Sequence, residues 1–382
     1  MIKIAIVYDR INTKYGGAEK VLMALHQAFV DATFFTSVYD PQVAIWAKHL
    51  EIKTTFLQNI PWAKNHHRHF APLMPLAFES LNLEGYDVVI SVTSAEAIGV
   101  ITSPKQLHLC YLLSPPRYLF SHQDYYLQNE PGLSHSLTKY PAKQLLAYLK
   151  SWYQVAAARP DYIIPISHFV ATRCQEFFNR TTLPVIYPPV ELPGSSIVEQ
   201  SRSQPFDQPY FLCVSRLLHY KRLDLAITAA NELKKHLIII GQGPYQKKLK
   251  QIASSSKNQY VHFLNHIDQN EVSNYYQHCQ ALIMPGEEDF GITGLEANAH
   301  GKPAIIFQKS GIAEILGNHV HAIHLTSQTV EQVKKAMQDV ETSTFEAKLL
   351  QQNSSNYDTN IFVNKFRNIV RDLWEKHSGH LD

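Results

Sequence analysis

At 382 residues the chain is too long for one ordinary hydrophobic core and suits two domains of similar size. Its 45% hydrophobic and 18% charged residues are those of a globular protein, and a formal net charge of only +2 without a basic stripe argues against a nucleic-acid partner. No stretch approaches the roughly 20 apolar residues of a membrane span, and the opening MIKIAIVYD reads as a strand rather than a secretory leader.

The first predicted element is a strand over 2–8, then a loop holding Gly16 and Gly17, then a helix over 18–30. Val21, Leu22, Leu25 and Phe29 recur along that helix at the spacing of one buried face. Strand, glycine loop and helix open a doubly wound α/β domain. The apolar runs 87–92, 107–112, 162–166 and 185–187 read as parallel strands covered on both faces. Residues 191–209, ELPGSSIVEQSRSQPFDQP, have the Ser, Pro, Gln and Gly content of an exposed linker. A second α/β pattern follows, with a strand over 210–215, a helix over 223–233 and a strand over 236–240 that ends at Gly241 and Gly243. Strands over 260–264, 281–284 and 304–307 complete it. The segment 361–376 is amphipathic: Phe362, Phe366, Ile369, Val370, Leu373 and Trp374 share one helical face that must dock. The chain therefore divides into a domain over 1–190, a linker over 191–209, a domain over 210–357 and a terminal helix within 358–382 that packs back on the first domain. Cys110, Cys174, Cys213 and Cys279 are scattered without CxxC spacing, as expected of free thiols in a reducing cytoplasm.

Two stretches of the second half carry charge where chemistry is expected. Arg216 follows a strand, and Lys221 lies five residues further on, before a helix. Strand ends of open α/β sheets face ligand crevices, and this pair suits a diphosphate: the guanidinium bonds two oxygens and the ammonium adds a point charge. The same pair also fits a solvated basic loop. The second stretch is PGEEDFGITGLEANAHGKP, residues 285–303, in which seven residues separate Glu288 from Glu296. A helix beginning near Thr293 would set Glu296 in its first turn and leave backbone N–H groups around Thr293 and Gly294 for a phosphate. Glu296 then accepts from ribose hydroxyls, or merely favours the helix N-terminus electrostatically.

The ordered pair SRL-x3-K and E-x7-E, with EANAHGKPAI and SGIAE after it, resembles the retaining GT-B glycosyltransferases called family 4 or glycosyltransferase group 1. GGAEK at 16–20, YLLSPPRYLF at 111–120, ISHFVATR and VIYPPVE extend the likeness over essentially the whole chain. Within that family it is most similar to bacterial polysaccharide and O-antigen mannosyltransferases. The resemblance implies an α/β GT-B fold, two Rossmann-like doubly wound parallel-sheet domains facing a central cleft, with acceptor side first and nucleotide-sugar side second. It implies transfer of a hexose, mannose from GDP-mannose, to a saccharide or a lipid-linked saccharide such as one on polyprenyl diphosphate, in surface polysaccharide synthesis, without an essential metal or other cofactor. Arg216 and Lys221 would bind the donor diphosphate and stabilise the leaving group, and Glu288 would meet the sugar near the reacting face. Glu296 would bind ribose, and the backbone of Phe290, Gly291, Ile292 and Thr293 would hold sugar and phosphates. Gly241 and Gly243 match the loop beside the nucleotide. Gly16 and Gly17 match a loop facing donor phosphate and acceptor, although a tight turn before a helix needs glycine too. Arg117 and Tyr118 fall on the acceptor side, with a buried structural arginine as the alternative.

Relatives often carry histidine where this chain has Leu113, and leucine neither donates nor accepts a proton. Same-face attack, with the leaving phosphate taking the acceptor proton, asks for positioned charge rather than a side-chain base. Glu287, Glu288 and Asp289, or His66, His67, Arg68 and His69, invite a metal, but the first set belongs to the donor and the second lacks a carboxylate at ligand spacing. Residues 57–78, LQNIPWAKNHHRHFAPLMPLAF, mix basic residues with Trp62, Phe70, Leu73, Met74 and Phe78. That mixture suits a peripheral patch on the inner face of a plasma membrane, or a core segment with a solvated surface. A nicotinamide oxidoreductase would need GxGxxG after the first strand, which RINTKYGGAEK lacks. A non-catalytic nucleotide-sugar-binding protein and a UDP-sugar-dependent transferase of the same fold stay open.

Overall fold

The computed structural model describes residues 2–64, 66–129, 136–193, 204–254, 259–265 and 267–379. The chain divides into two compact units, one of Met1–Tyr187 with Phe362–Asp382 and the other of Pro188–Ile361. Most of the linker expected over 191–209, residues 194–203, lies outside the described residues.

The first unit is built on β1 (Ile4–Tyr8), β2 (Thr33–Thr36), β3 (Ile52–Thr54), β4 (Val88–Thr93), β5 (Leu107–Leu112) and β6 (Tyr162–Pro165). Among the described residues they form one six-stranded parallel sheet in the order β3-β2-β1-β4-β5-β6. β1, β4 and β5 are buried at every position, so their sequences are mostly apolar rather than alternating, and the buried polar Ser91 and His108 pair with each other. One face packs Ala5, Val7, Phe35 and Val89 against Met74, Ala77 and Phe78 of the helix Met74–Glu79. The helix Gly17–Ala28 buries Val21, Leu22 and Leu25, while Phe29 is only half-buried at its C-cap. No strand forms over 185–187. Leu183 and Ile186 donate to the carbonyls of Ile163 and Pro165 at 2.8 and 3.3 Å, three residues apart where a regular parallel ladder donates from every second residue, so no strand propagates.

The helix Thr359–Ser378 enters this unit at Phe362. Phe362, Val363, Phe366, Val370 and Leu373 are buried, with the rings of Phe362 and Phe366 at 5.8 and 5.3 Å from Tyr111. Ile369 and Trp374 are only half-buried. Arg367 donates to the carbonyls of Ala28 and Gln27 at 2.8 and 2.7 Å, satisfying acceptors that the end of the first helix leaves open.

The second unit contains β7 (Tyr210–Val214), β8 (His236–Ile240), β9 (Val261–Leu264), β10 (Leu282–Met284), β11 (Ala304–Phe307) and β12 (Ala322–Leu325). These form a second six-stranded parallel sheet among the described residues, ordered β12-β11-β10-β7-β8-β9. The helices Leu223–Leu233 and Val330–Thr342 cover one face, burying Ala226, Ile227 and Ala230 with Val333 and Met337. β2, β3 and β12 were not expected from sequence: each is four residues or fewer and carries polar residues. In each sheet the chain reverses direction of travel across a single strand pair, β1 with β4 and β7 with β10. Loops leaving the carboxyl ends of such a pair diverge to opposite faces and open a crevice.

Candidate functional site

The crevice of the second unit is bounded by the loops after β7 and β10. Arg216, two residues beyond β7, is exposed, while Leu217 beside it is fully buried and anchors the loop. Backbone bonds tie the segment to the loop after β8: Ser215 donates to Ile240 at 3.1 Å, Leu217 to Gln242 at 2.9 Å and Tyr245 to Leu217 at 3.0 Å. This contact explains Gly241 and Gly243. A Cβ on Gly241 would stand 2.0 Å from the Ser215 carbonyl oxygen, and one on Gly243 would stand 2.3 Å from that of Leu217. Gly241 also has φ +142, open chiefly to glycine. Both glycines thus let two loops lie backbone to backbone and hold the Arg216 segment in position. The chain next forms the turn His219–Lys221 and enters the helix Leu223–Leu233.

The loop after β10 packs on that turn through Gly286. A Cβ there would meet the Tyr220 carbonyl oxygen at 2.5 Å and the Lys221 Cα at 2.6 Å. The approach brings Glu288 to Lys221, and Lys221 Nζ donates to Glu288 Oε2 in an ion pair with side chains 14% and 13% exposed. The Glu288 carbonyl accepts from Gly311 N at 2.9 Å, which ties the SGIAE turn to the same loop. Phe290 is buried, and Gly291, at φ +99, is the N-cap of the helix Ile292–Ala299. Thr293 Oγ1 lies 3.4 Å from Met284 Sδ.

Two expectations for this helix need correction. It starts at Ile292, so Glu296 is its fifth residue and lies in the second turn, beyond the reach of the first-turn electrostatic effect. Gly294 N–H is bonded to the Gly291 carbonyl at 2.9 Å and is not available to a phosphate. Glu296 is 8% exposed and its Oε2 accepts from Tyr276 Oη at 2.9 Å.

The remaining expected residues belong to the first unit. Gly16 is the N-cap of Gly17–Ala28, and its φ of −153 is extended backbone that any residue adopts. A Cβ there would stand 3.0 Å from Glu19 Oε2. Glu19 Oε1 accepts from Thr13 Oγ1 at 2.6 Å, and Trp46 Nε1 donates to the Thr13 carbonyl at 3.0 Å, so the glycine loop is stapled from both sides. Arg117 is 8% exposed. Tyr118 Oη donates to Glu96 Oε1 at 2.7 Å, and Glu96 Oε2 lies 3.6 Å from Arg10 Nη1. Burial pushes the Glu96 carboxyl up against the pull of Arg10, and burial beside Glu96 holds the Tyr118 phenol well above its ordinary range. Asp9 accepts from Thr93 Oγ1, Ser94 N and Ala97 N at 2.7, 2.8 and 2.9 Å, lacing the end of β1 to the loop after β4.

The stretch 57–78 is only partly a surface. Met74 and Phe78 are core residues and Phe70 packs on the core, because the helix Met74–Glu79 covers the sheet. Trp62, Leu73 and Leu76 are the exposed apolar residues, at 76, 38 and 56%. The rings of His66 and His69 stack with centroids 5.9 Å apart, while the side chains of His67 and Arg68 lie outside the described part. Among the described residues no group of three or more His, Cys, Asp or Glu gathers to hold a metal ion, and no helix is long and apolar enough to cross a membrane.

Sequence reasoning missed Gly286, Tyr276, Arg10 and Glu96. A glycine right after β10 in a loop with two glutamates was a usable signal for Gly286. Tyr276 lies in a different element from its partner, as does each member of the Arg10 and Glu96 pair, and nothing local marks them.

Two open α/β units with charged loops at the second switch point define a class, and the known proteins agree with it. Residues 197–357, most of the second unit, match the family model described as Glycosyl transferases group 1. D-rhamnosyltransferase WbpZ of Pseudomonas aeruginosa is 32% identical over 99 residues, 25% of this chain and 26% of that protein. A GDP-mannose-dependent alpha-(1-6)-phosphatidylinositol monomannoside mannosyltransferase of Mycolicibacterium smegmatis is 31% identical over 122 residues, 28% of this chain and 32% of that protein. The chain thus spans about half or less of the curated relatives it matches, reaching 53% of an uncharacterized glycosyltransferase of Methanocaldococcus jannaschii at 23% identity over 197 residues, half of this chain. Among solved structures, sucrose-phosphate synthase from Thermosynechococcus elongatus has a TM-score of 0.74 at 16% identity, covering 98% of this chain and all of that one. HepE of Anabaena in complex with UDP has a TM-score of 0.67 at 17% identity, covering 97% of this chain and all of that one. The fold is that of the GT-B glycosyltransferases.

Proposed function

We propose that the chain is a retaining, metal-independent glycosyltransferase that moves mannose from GDP-mannose to a saccharide acceptor linked to polyprenyl diphosphate, in surface polysaccharide synthesis. The observation that carries this reading is the convergence of Arg216, the Lys221 and Glu288 pair and the start of the helix Ile292–Ala299 at the switch point of the second sheet. Two cations and a helix N-terminus suit a nucleoside diphosphate, and their charge acts most strongly on the leaving group, where negative charge grows as the glycosidic bond breaks. Glu288 takes the sugar hydroxyls and Glu296 the ribose.

Leu113 follows β5 and its N–H is bonded to the Thr93 carbonyl at 2.8 Å, so neither its side chain nor its backbone donor serves as a proton carrier. In this reading a leaving phosphate oxygen accepts the proton of the acceptor hydroxyl on the face that the nucleotide vacates, and the protein's contribution is alignment. The choice of mannose leans on the named mannosyltransferase relative, and a UDP-sugar is the second reading, favoured by the UDP-bound HepE of the same fold. Exposed Trp62, Leu73 and Leu76 support peripheral contact with a membrane at the cytoplasmic face, where such an acceptor is reached.

The test is incubation of the purified chain with GDP-mannose, UDP-glucose or UDP-galactose and lipid-linked saccharides, with products identified by mass spectrometry and NMR. An α-mannosylated product from GDP-mannose supports the reading in full. Nucleotide binding without release of nucleoside diphosphate from any donor would favour a non-catalytic binding protein instead.

A further inference from the structure

We propose that Tyr276 is the positioning residue of Glu296, fixing its carboxylate toward a ribose diol, and that Ser273 and His300 hold Tyr276 in turn; this rests on reading Glu296 as the ribose ligand. Tyr276 lies on the helix Gln269–His278 and is 1% exposed. Its hydroxyl donates to Glu296 Oε2 at 2.9 Å, across to the helix Ile292–Ala299. Its ring stacks on that of His300, with centroids 5.3 Å apart and planes 19° apart.

The two ring nitrogens of His300 are both engaged. Nδ1 lies 2.8 Å from the Glu296 carbonyl oxygen and Nε2 lies 2.6 Å from Ser273 Oγ. A carbonyl only accepts, so Nδ1 carries the proton, and in the neutral ring Nε2 accepts from the Ser273 hydroxyl. Ser273 and Tyr276 are three apart on one helix, and Glu296 and His300 are four apart across the end of the other, so both pairs lie on facing sides. The imidazole is locked by two bonds, the phenol is locked by the imidazole, and one oxygen of Glu296 is locked by the phenol. Burial and the neighbouring Glu296 charge keep the Tyr276 phenol well above its ordinary pKa, so it stays a donor at any working pH.

A carboxylate that grips two adjacent hydroxyls must present one plane, and a bond to Oε2 removes its freedom to turn. A purely structural tyrosine would matter for folding but not for telling ribose from a sugar without hydroxyls. The test is calorimetric titration of the full chain with GDP and with 2′,3′-dideoxy-GDP, repeated with the uridine pair. Wild type, Glu296→Gln, Tyr276→Phe and Ser273→Ala are compared. Wild type is expected to prefer the ribose nucleotide, and Glu296→Gln to abolish the preference. Tyr276→Phe is expected to cut the preference about tenfold while leaving the dideoxy affinity unchanged, and Ser273→Ala to cut it by less. A preference retained in Tyr276→Phe, or equal loss of both nucleotides, overturns the positioning role while the reading of Glu296 stands. If wild type shows no preference, the reading of Glu296 falls and the proposal with it. Should Tyr276→Phe fail to fold, Ser273→Ala decides alone, and a ratio equal to wild type overturns the proposal.

Discussion

Lys221 and Glu288, 67 positions apart, form a largely buried ion pair in which each side chain is under 15% exposed. Each is also a ligand candidate for a different part of the donor. If the donor binds as proposed, its diphosphate would compete with Glu288 for the ammonium and free the carboxylate for the sugar. Glu288→Gln is therefore expected to tighten binding of free GDP or UDP, since the competing charge is gone. Turnover of the sugar nucleotide should fall about 100-fold, because the sugar contact is lost. Calorimetry and initial rates measured together decide it, and weaker nucleotide binding in the variant would refute the competition.

Arg216 is exposed at the mouth of the same crevice. Arg216→Ala is expected to shift the melting temperature by no more than about 2 °C, as surface substitutions do, while kcat/KM falls by about two orders of magnitude. Arg216→Lys should recover only part of the loss, because an ammonium cannot bond two phosphate oxygens in the fork geometry of guanidinium. Parallel thermal melts and steady-state kinetics check both.

Gly286 sets the distance between the two charged loops. In Gly286→Ala the new methyl would lie 2.5 Å from the Tyr220 oxygen and 2.6 Å from the Lys221 Cα, both backbone atoms that cannot rotate away. The loops must part, at a cost of about 1–3 kcal/mol. The expected outcome is a melting temperature lower by several degrees together with weaker donor binding, read by calorimetry of both processes.

His108 is fully buried on β5, its Nε2 lies 2.8 Å from Ser91 Oγ, and burial, then the Arg159 and Arg180 charges, lower its pKa to about 3. The folded chain therefore excludes a proton that the unfolded chain takes up below about 6.5. Stability from this group is complete above pH 6.5 and is lost progressively as pH falls from 6.5 toward 3, at up to about 1.4 kcal/mol per pH unit. Urea unfolding at stepped pH should show that slope, and His108→Gln, which keeps a partner for Ser91 but does not titrate, should flatten it.

Cys110, Cys174, Cys213 and Cys279 are all buried and free. Burial raises each thiol, Cys174 and Cys279 to about 12 and the other two further. Native protein is expected to react with a thiol-specific disulfide reagent at least about 100-fold more slowly than the denatured chain. Rapid labelling of a native cysteine would contradict that burial.

β1, β4, β5, β8 and β11 were legible because a strand buried on both faces is mostly apolar, whatever it pairs with. The amphipathic face of 361–376 was legible for a related reason, since helical spacing is a local property. Short strands such as Ile52–Thr54, whose residues are half-buried or exposed, left no such trace. The strand expected over 185–187 failed because the bonds to β6 come from Leu183 and Ile186, a spacing of three that breaks the alternation a ladder needs and that apolar content does not reveal.

By itself the sequence determined the α/β class, most strand positions and the charged residues that cluster after β7 and β10, because each depends on residues close along the chain. Only the tertiary structure decided what those charges do to one another. Lys221 meets Glu288 because Gly286 lacks a side chain where two backbones touch, and Glu296 meets Tyr276 because two helices pack with facing polar positions. These partners are 67 and 20 positions apart, and separation in sequence carries no record of distance in space.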